Sequence, residues 1–558
     1  MLKLAIAALC LQGDGRPIAD VINTYSQDRG ILERRYRAPM SEEAFQRMRR
    51  FYAGELKKLE SLDADGYERL TVDEAIDWHL LKNRIWWDLE RMELAREKDL
   101  EVIALLPFAT TIAEFVEARQ RVARVDPDVT AKRVADLADH VTEVHEKLDE
   151  GKLDDVHPVL LARTAKRLGD LRRAFGDWYR FRANYDPMFT WWLEQPHEAA
   201  SKALDRLGDA FDAKVEAQSG DATLSADPIG EAALIDALRR EYIPYSPAEL
   251  VAIAEREFAW CDARMLEASN ELGFGDDWRA AQAHVKSLYV EPGEQPYLVR
   301  DLVTEAIDFL ESRELVTIPP LAAEGWRMTM ISPERQKTSP YFLGGEEIQV
   351  SYPTHGMTDD EKRATLLGNN EHFARAVAHH EVIPGHGLQA FMQRRHRPYR
   401  RLFTTPFWVE GWALYWEMRL WDLGFPRGPE DRIGMLFWRK HRCARIVFSL
   451  SIHLGTMTPE EAVEYLVTRV GHEKKNAEGE VRRSVGGAYP PLYQAAYMLG
   501  GLQLRALHEE LVEDGAWTER RFHDMVMQSN SIPIELLRAS AKGIVLPRDY
   551  ETSWRFAE

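Results

Sequence analysis

The sequence predicts a mainly α-helical protein with one small antiparallel β-sheet. Apolar residues recur every three or four positions through most of the chain, and helix-start signals stand at the heads of those stretches. Strand-like alternation is confined to about residues 314–354.

In chain order, Met1-Leu2-Lys3 precedes an apolar run from Leu4 to Leu11, followed by Gln12-Gly13-Asp14-Gly15. A positive start with a short apolar core reads as a signal-like segment over 1–14 and places the protein in the periplasm or outside the cell. The alternative is a cytoplasmic protein that begins with an apolar helix or strand. Leu9 stands where a lipoprotein cleavage site before Cys10 wants a small residue. No stretch approaches the ~20 apolar residues needed to span a bilayer, so no membrane insertion is expected.

Residues 41–62, 71–98, 110–124, 129–150 and 157–182 read as amphipathic helices. Thr71-Val72-Asp73-Glu74, Ser246-Pro247-Ala248-Glu249 and Thr458-Pro459-Glu460-Glu461 are capping boxes, in which Ser or Thr and a Glu three residues on satisfy each other's backbone donors. The last two also carry Pro at the first helical position. Trp86, Trp87, Trp191 and Trp192 are expected in the core or a cleft wall. Turns fall at Asp227-Pro228-Ile229-Gly230, at Glu291 through Pro296 and at Ser332-Pro333-Glu334, and none is long enough for a flexible linker. The strands are Trp326–Ile331 and Ile348–Tyr352. They form either a plain hairpin or an edge to which an extended peptide adds by β-augmentation.

The chain has 558 residues, 45% of them hydrophobic, enough for a large core, and a net charge of −19. The pI of about 5.5 describes a surface that repels phosphate backbones, which argues against nucleic-acid partners. Cys10, Cys261 and Cys443 are far apart and form no CxxC pair, so they read as inert buried thiols and not as a disulfide framework.

The chemistry is concentrated in His380-Glu381-Val382-Ile383-Pro384-Gly385-His386, with Glu410-Gly411-Trp412-Ala413-Leu414-Tyr415 downstream. Two imidazoles and a carboxylate hold one Zn²⁺ ion and leave a position for water, and Glu381 is left to act on that water. Helical zinc motifs usually place the histidines at i and i+4. Here the spacing is i to i+6, which in a regular helix turns the second ring about 120° from the first. Pro384 and Gly385 are expected to break the helix and swing His386 back. His379 lies on the same face as His386, but two turns of rise, about 10.5 Å, is too far to share an ion. The metal set is therefore His380, His386 and Glu410. Glu417, seven residues after Glu410, faces the same way and is a candidate partner for a ligand histidine.

These two motifs resemble the bacterial family called domain of unknown function 885, a helical, zincin-like group regarded as metallopeptidases. The resemblance extends to Tyr245 through Leu250 with the helix to Gly273, to Arg445–His453, and to Pro491–Tyr497 with Gly500. It covers most of the chain from about 240 onward. Ser449, Ser451 and Tyr493 depart from the family pattern, which puts the substrate's identity in question more than the metal.

The resemblance and the residue chemistry imply one scheme. The protein is expected to be a large, two-lobed, zincin-like zinc metallopeptidase that cleaves short peptides in the manner of a carboxypeptidase or dipeptidase. Residues 15–558 form one catalytic domain, with a helical N-terminal lobe over about 15–310 and a metal-binding lobe over about 311–558. Glu381 is the general base. Tyr497, which matches a family position, is the first candidate to stabilise the oxyanion, with Tyr489, Tyr493 and His453 as alternatives. Arg445, Tyr489 and Tyr493 line the substrate site, and Arg445, Arg482 or Arg483 could grip a terminal carboxylate. Against this stand a zinc hydrolase of a non-peptide amide or ester, and a non-catalytic helical binding protein.

Overall fold

The computed structural model describes residues 17–61, 64–219, 226–336, 342–485 and 489–557. The signal-like segment over 1–14, with Cys10, lies outside the described residues. Helix makes up 73% of the structure and strand 2%, which makes the protein all but purely helical. Contacts divide it into two compact units, Met1–Ser225 and Ala226–Glu558. The lobe boundary near 310 read from the sequence falls inside the second unit.

In the first unit the periodic windows become the helices Glu42–Glu60, Val72–Leu105, Ala109–Gln120, Pro127–Asp149 and Pro158–Arg180. A further helix, Pro187–Ser219, packs along Pro127–Asp149 and Pro158–Arg180. Leu137, Val141, Leu168, Phe175, Trp178, Phe189 and Leu207 fill the space between them. Trp192 is half-buried against this core, but Trp191 is 70% exposed. Trp191 is two residues from both Phe189 and Leu193, which are fully buried, so it projects from the opposite side of the helix. Periodicity assigns that position to solvent, and the size of the side chain does not override it.

The second unit is built around Pro429–Leu454, a helix buried along nearly its whole length. Pro247–Glu271, Glu371–Glu381, Pro459–Val470 and Tyr493–His508 pack around it. All three anticipated capping boxes are present, and Thr358 with Glu361 makes a fourth. Cys261 and Cys443 are buried free thiols. Pro406–Asp422 and Tyr493–His508 lie against each other at a glycine crossing. A Cβ on Gly411 would sit 2.6 Å from the Gly500 Cα, and one on Gly500 would sit 2.1 Å from the Phe407 carbonyl oxygen. Only hydrogen fits on either side, and the crossing sets how closely Glu410 approaches Tyr493–His508.

The sheet differs from expectation. β1 (Arg327–Met330) and β2 (Glu347–Val350) pair in parallel, with Met328 opposite Ile348 and Met330 opposite Val350. Alternation reveals which face of a strand is buried, but not its direction. The chain between the strands includes the short helix Pro333–Gln336 and returns to run alongside β1 instead of folding back as a hairpin. Among the described residues the antiparallel pairing is a single bridge between Leu343 and Gln349.

Gly500→Ala is expected to push the two crossing helices apart and to destabilise the second unit by about 1–3 kcal/mol, the usual cost of overpacking. Thermal unfolding of the variant checks this.

Candidate metal centre

The helix Glu371–Glu381 starts at Asn370, whose side chain accepts from the backbone N–H groups of His372 and Phe373, both at 3.0 Å. It stops where the sequence places Pro384 and Gly385. The Gly385 N–H bonds to the His379 carbonyl at 3.0 Å, and a new helix, His386–Gln393, begins at once. The Ile383–Pro384 peptide is cis. A Cβ on Gly385 would lie 1.7 Å from the His380 carbonyl oxygen, so no other residue fits there. The Trp412 indole donates to the Pro384 carbonyl at 2.7 Å and ties the break to the neighbouring helix Pro406–Asp422.

This break brings the His380 and His386 rings to 4.9 Å between centroids, almost perpendicular to each other at 89°. Glu410, one turn into Pro406–Asp422, meets both. Its Oε2 is 3.7 Å from His380 Nε2 and 3.2 Å from His386 Nε2. Ligand atoms about 2.0–2.1 Å from one tetrahedral ion lie roughly 3.4 Å apart. The two distances bracket that value.

Each group has its other polar atom held elsewhere. His380 Nδ1 bonds Glu417 Oε1 at 2.7 Å, and His386 Nδ1 bonds Gln389 Oε1 at 2.9 Å. Gln389 in turn donates to the Trp408 carbonyl at 3.2 Å, which fixes its amide orientation. The Tyr493 hydroxyl donates to Glu410 Oε1. With both Nδ1 atoms engaged as donors, both Nε2 lone pairs face inward. Glu410 Oε2 is buried between them without a hydrogen bond. A buried acceptor left bare is costly. Two imidazole nitrogens and one carboxylate oxygen converging on a bare point fit a divalent cation, and the donor set favours zinc.

Without an ion, charge within the cluster dominates. Burial lowers the His386 imidazole, but Glu410's charge opposes it, and the group rises to about 9. Despite its burial, Glu410 is held well below the usual carboxylate range by His386 and His380. Burial pushes Glu381 up, opposed by both imidazoles and reinforced by Glu410. Ligating histidines must be neutral, so an ion and these protons compete for the same nitrogens.

Glu381 ends the first motif helix beside His380 and lies under the loop leading into β2, where a Cβ on Gly344 would come 2.1 Å from its Oε2. Tyr497 stacks near His380 at 6.2 Å, and the Arg442 and Arg445 guanidinium groups lie 4.7 and 4.4 Å from its ring centroid. Its hydroxyl has no hydrogen-bond partner among the described residues. Tyr489 stacks on Tyr493 at 4.2 Å, so Tyr489, Tyr493 and Tyr497 form a ladder reaching the cluster. Arg445 is buried and paired through Nε with Glu480 Oε1 at 2.7 Å.

The structure does not bring His453 to the centre. It lies eight residues beyond Arg445 on the same helix, about 12 Å along its axis, and its nearest charged influence is Asp227. His379 also stays out, with both ring nitrogens buried and unpaired and its ring edge-on to Phe425. Sequence reading overlooked Gln389 and gave Tyr493 to the substrate, whereas the structure places it on Glu410. Gln389 was within reach, because it follows His386 by three residues and so shares its helix face. Glu480 carried no comparable signal. A separate surface cavity, lined by Arg397, Trp517, Arg521 and Gln528 among others, contains none of the cluster residues.

His386→Ala is expected to lose bound zinc, as measured by elemental analysis after dialysis. Tyr493→Phe is expected to keep the site but weaken zinc affinity about 10–100-fold, the usual effect of removing a hydrogen bond to a ligand. Competition with a chelating dye measures that loss.

One family model matches most of the chain. A family described as a bacterial protein of unknown function (DUF885) matches residues 24–540. A presumed lipoprotein of unknown function from Shewanella oneidensis superposes with a TM-score of 0.69 at 17% identity, covering 94% of this chain and 99% of that one. A presumed lipoprotein from Colwellia psychrerythraea gives 0.57 at 15%, covering 97% and 98%. These similarities show a shared fold. No curated protein matches the chain. With most of its length matched and the two motifs assembled in one place, the chain belongs to the DUF885 family of bacterial proteins.

Proposed function

We propose that this protein is a zinc-dependent hydrolase that cleaves the peptide bonds of short peptides, with a zincin-like centre in its second unit. The observation that carries the reading is the bare Glu410 Oε2 between two histidine Nε2 atoms whose orientations are fixed from behind. A bound Zn²⁺ supplies Lewis acidity there, bringing a water's pKa to about 7 and polarising a carbonyl.

The chain's own residues do the rest. Glu381, beside the ligand set, takes a proton from water at its carboxylate and delivers it to the leaving nitrogen. Tyr497, with an unpartnered hydroxyl and two guanidinium groups flanking its ring, is positioned to donate to the developing oxyanion. Glu417 and Gln389 hold the imidazole tautomers, and Tyr493 holds the carboxylate. If a peptide adds as a strand, β1 offers the free edge, because Gln349 of β2 already exchanges both backbone bonds with Leu343.

For location, the presumed lipoprotein character of both structural relatives and the apolar start of the chain support the cell envelope. Among the described residues no helix is long and apolar enough to cross a membrane.

A defined mixture of short peptides, incubated with the purified protein and read by mass spectrometry, tests the reading. Cleavage is expected, is abolished by a chelator and returns with Zn²⁺. Glu381→Gln is expected to retain its zinc and lose about 10²–10⁴-fold in turnover. Unchanged turnover in that variant removes Glu381 from the base role, and cleavage of acyl amides or esters in place of peptides redirects the substrate class.

A further inference from the structure

We propose that Arg445 and Arg483, behind the tyrosine ladder, form a subsite for the terminal carboxylate of the substrate, so that the enzyme works from the C-terminal end of a short peptide. This deepens the hydrolase reading above and rests on it.

The first observation is a charge imbalance. Arg445 Nε and Arg483 Nη2 both donate to Glu480, at 2.7 and 2.6 Å. Two guanidinium groups therefore share one carboxylate. Among the described residues no other carboxylate lies within ion-pair distance of either, although Glu410 acts on Arg445 from farther off. Arg442, the third arginine of the cluster, faces Glu417 at 3.5 Å. His441 Nε2 lies 3.8 Å from Glu480 and is kept neutral by burial and the charge of Arg445. Glu480 thus answers two guanidinium groups with one carboxylate, in a buried place where a charge is costly unless paired.

The second observation is unused hydrogen-bonding capacity. Arg445 Nη1 and Ser449 Oγ are both buried without a partner. Each residue is 3% exposed, and the two are four apart on one helix, so they share a face. Gln494 is 2% exposed, donates through Nε2 to Glu480 at 2.7 Å and leaves its Oε1 bare. A carboxylate takes two donors, and Arg445 Nη1 with Ser449 Oγ offers two.

The third observation is position. The Arg445 guanidinium lies 4.4 Å from the Tyr497 ring centroid, and that ring lies 6.2 Å from His380. Up to three residues of extended chain, about 3.3–3.6 Å each, cover the span. A carboxylate seated on Arg445 thus presents a nearby peptide bond to the centre. In the reaction the water oxygen joins the carbonyl carbon and the C–N bond breaks. The water's protons end on the released amine and the new carboxyl group.

The test uses the zinc-loaded full chain carrying Glu381→Gln, titrated by calorimetry with an N-acetylated tripeptide of uncharged side chains and, separately, with its C-terminal amide. The free acid is expected to bind about 10–100-fold tighter, the range for hydrogen bonds to a charged group. Arg483→Gln in the same background is expected to remove most of that preference. A third probe, the amide with a glutamate at its last position, separates a chain-end carboxylate from a side-chain one, and full recovery of affinity by it overturns the chain-end assignment. Equal binding of acid and amide overturns the subsite. If the wild-type protein also cleaves both, the hydrolase reading survives alone. No binding of any probe overturns both. The comparison of acid with amide leaves the cluster intact, so it does not depend on any arginine variant folding.

Discussion

Everything at the centre depends on one interruption of a helix. His380 and His386 meet only because the chain stops being helical between them, and that stop is enforced from three sides. Pro384 has no N–H to continue the ladder. Gly385 occupies a space in which a Cβ would overlap the His380 carbonyl. The Trp412 indole holds the Pro384 carbonyl that the break leaves exposed. The same turn positions His380, frees His386 to start a helix of its own and ends the first helix at Glu381. A ligand, its partner and the proposed base are set by four residues of irregular backbone.

Around that break the protein surrounds each candidate ligand with a fixed neighbour. Pro406–Asp422 contributes Glu410 to the cluster and Glu417 to His380, one face of one helix serving both tasks. The glycine crossing of Gly411 and Gly500 lets Tyr493–His508 come close enough for Tyr493 to occupy the second oxygen of Glu410. Close packing and site geometry are therefore the same requirement here. Buried polar atoms without partners include those at Glu410, Arg445, Ser449 and Gln494, where an ion or substrate would sit. Other buried cations in the unit pair with carboxylates, Arg439 with Glu257 and Lys440 with Asp262.

Local rules carried the helical elements. Capping boxes at Thr71, Ser246 and Thr458, apolar periodicity and a helix-breaking Pro-Gly all act within a few residues, and each is present where it was expected. The reading failed where local pattern is silent. β1 and β2 alternate alike whether parallel or antiparallel, and the crossover between them decides. His453 shares a helix with Arg445 but lies too far along it to reach the cluster, a distance that residue type does not convey. Trp191 is large and apolar yet exposed, because helix phase decided its side.

By itself the sequence determined the family, the mainly helical class and the candidate ligand set, because ligand chemistry and helix-breaking act through residue type and short spacing. Tertiary structure alone decided which second atom of each ligand is engaged, that Tyr493 serves Glu410, and that Arg445 and Arg483 share Glu480. Those relations join residues from separate helices. They depend on how closely two helices approach and how they are rotated, and both are settled by packing across the whole unit, which no local stretch of sequence encodes.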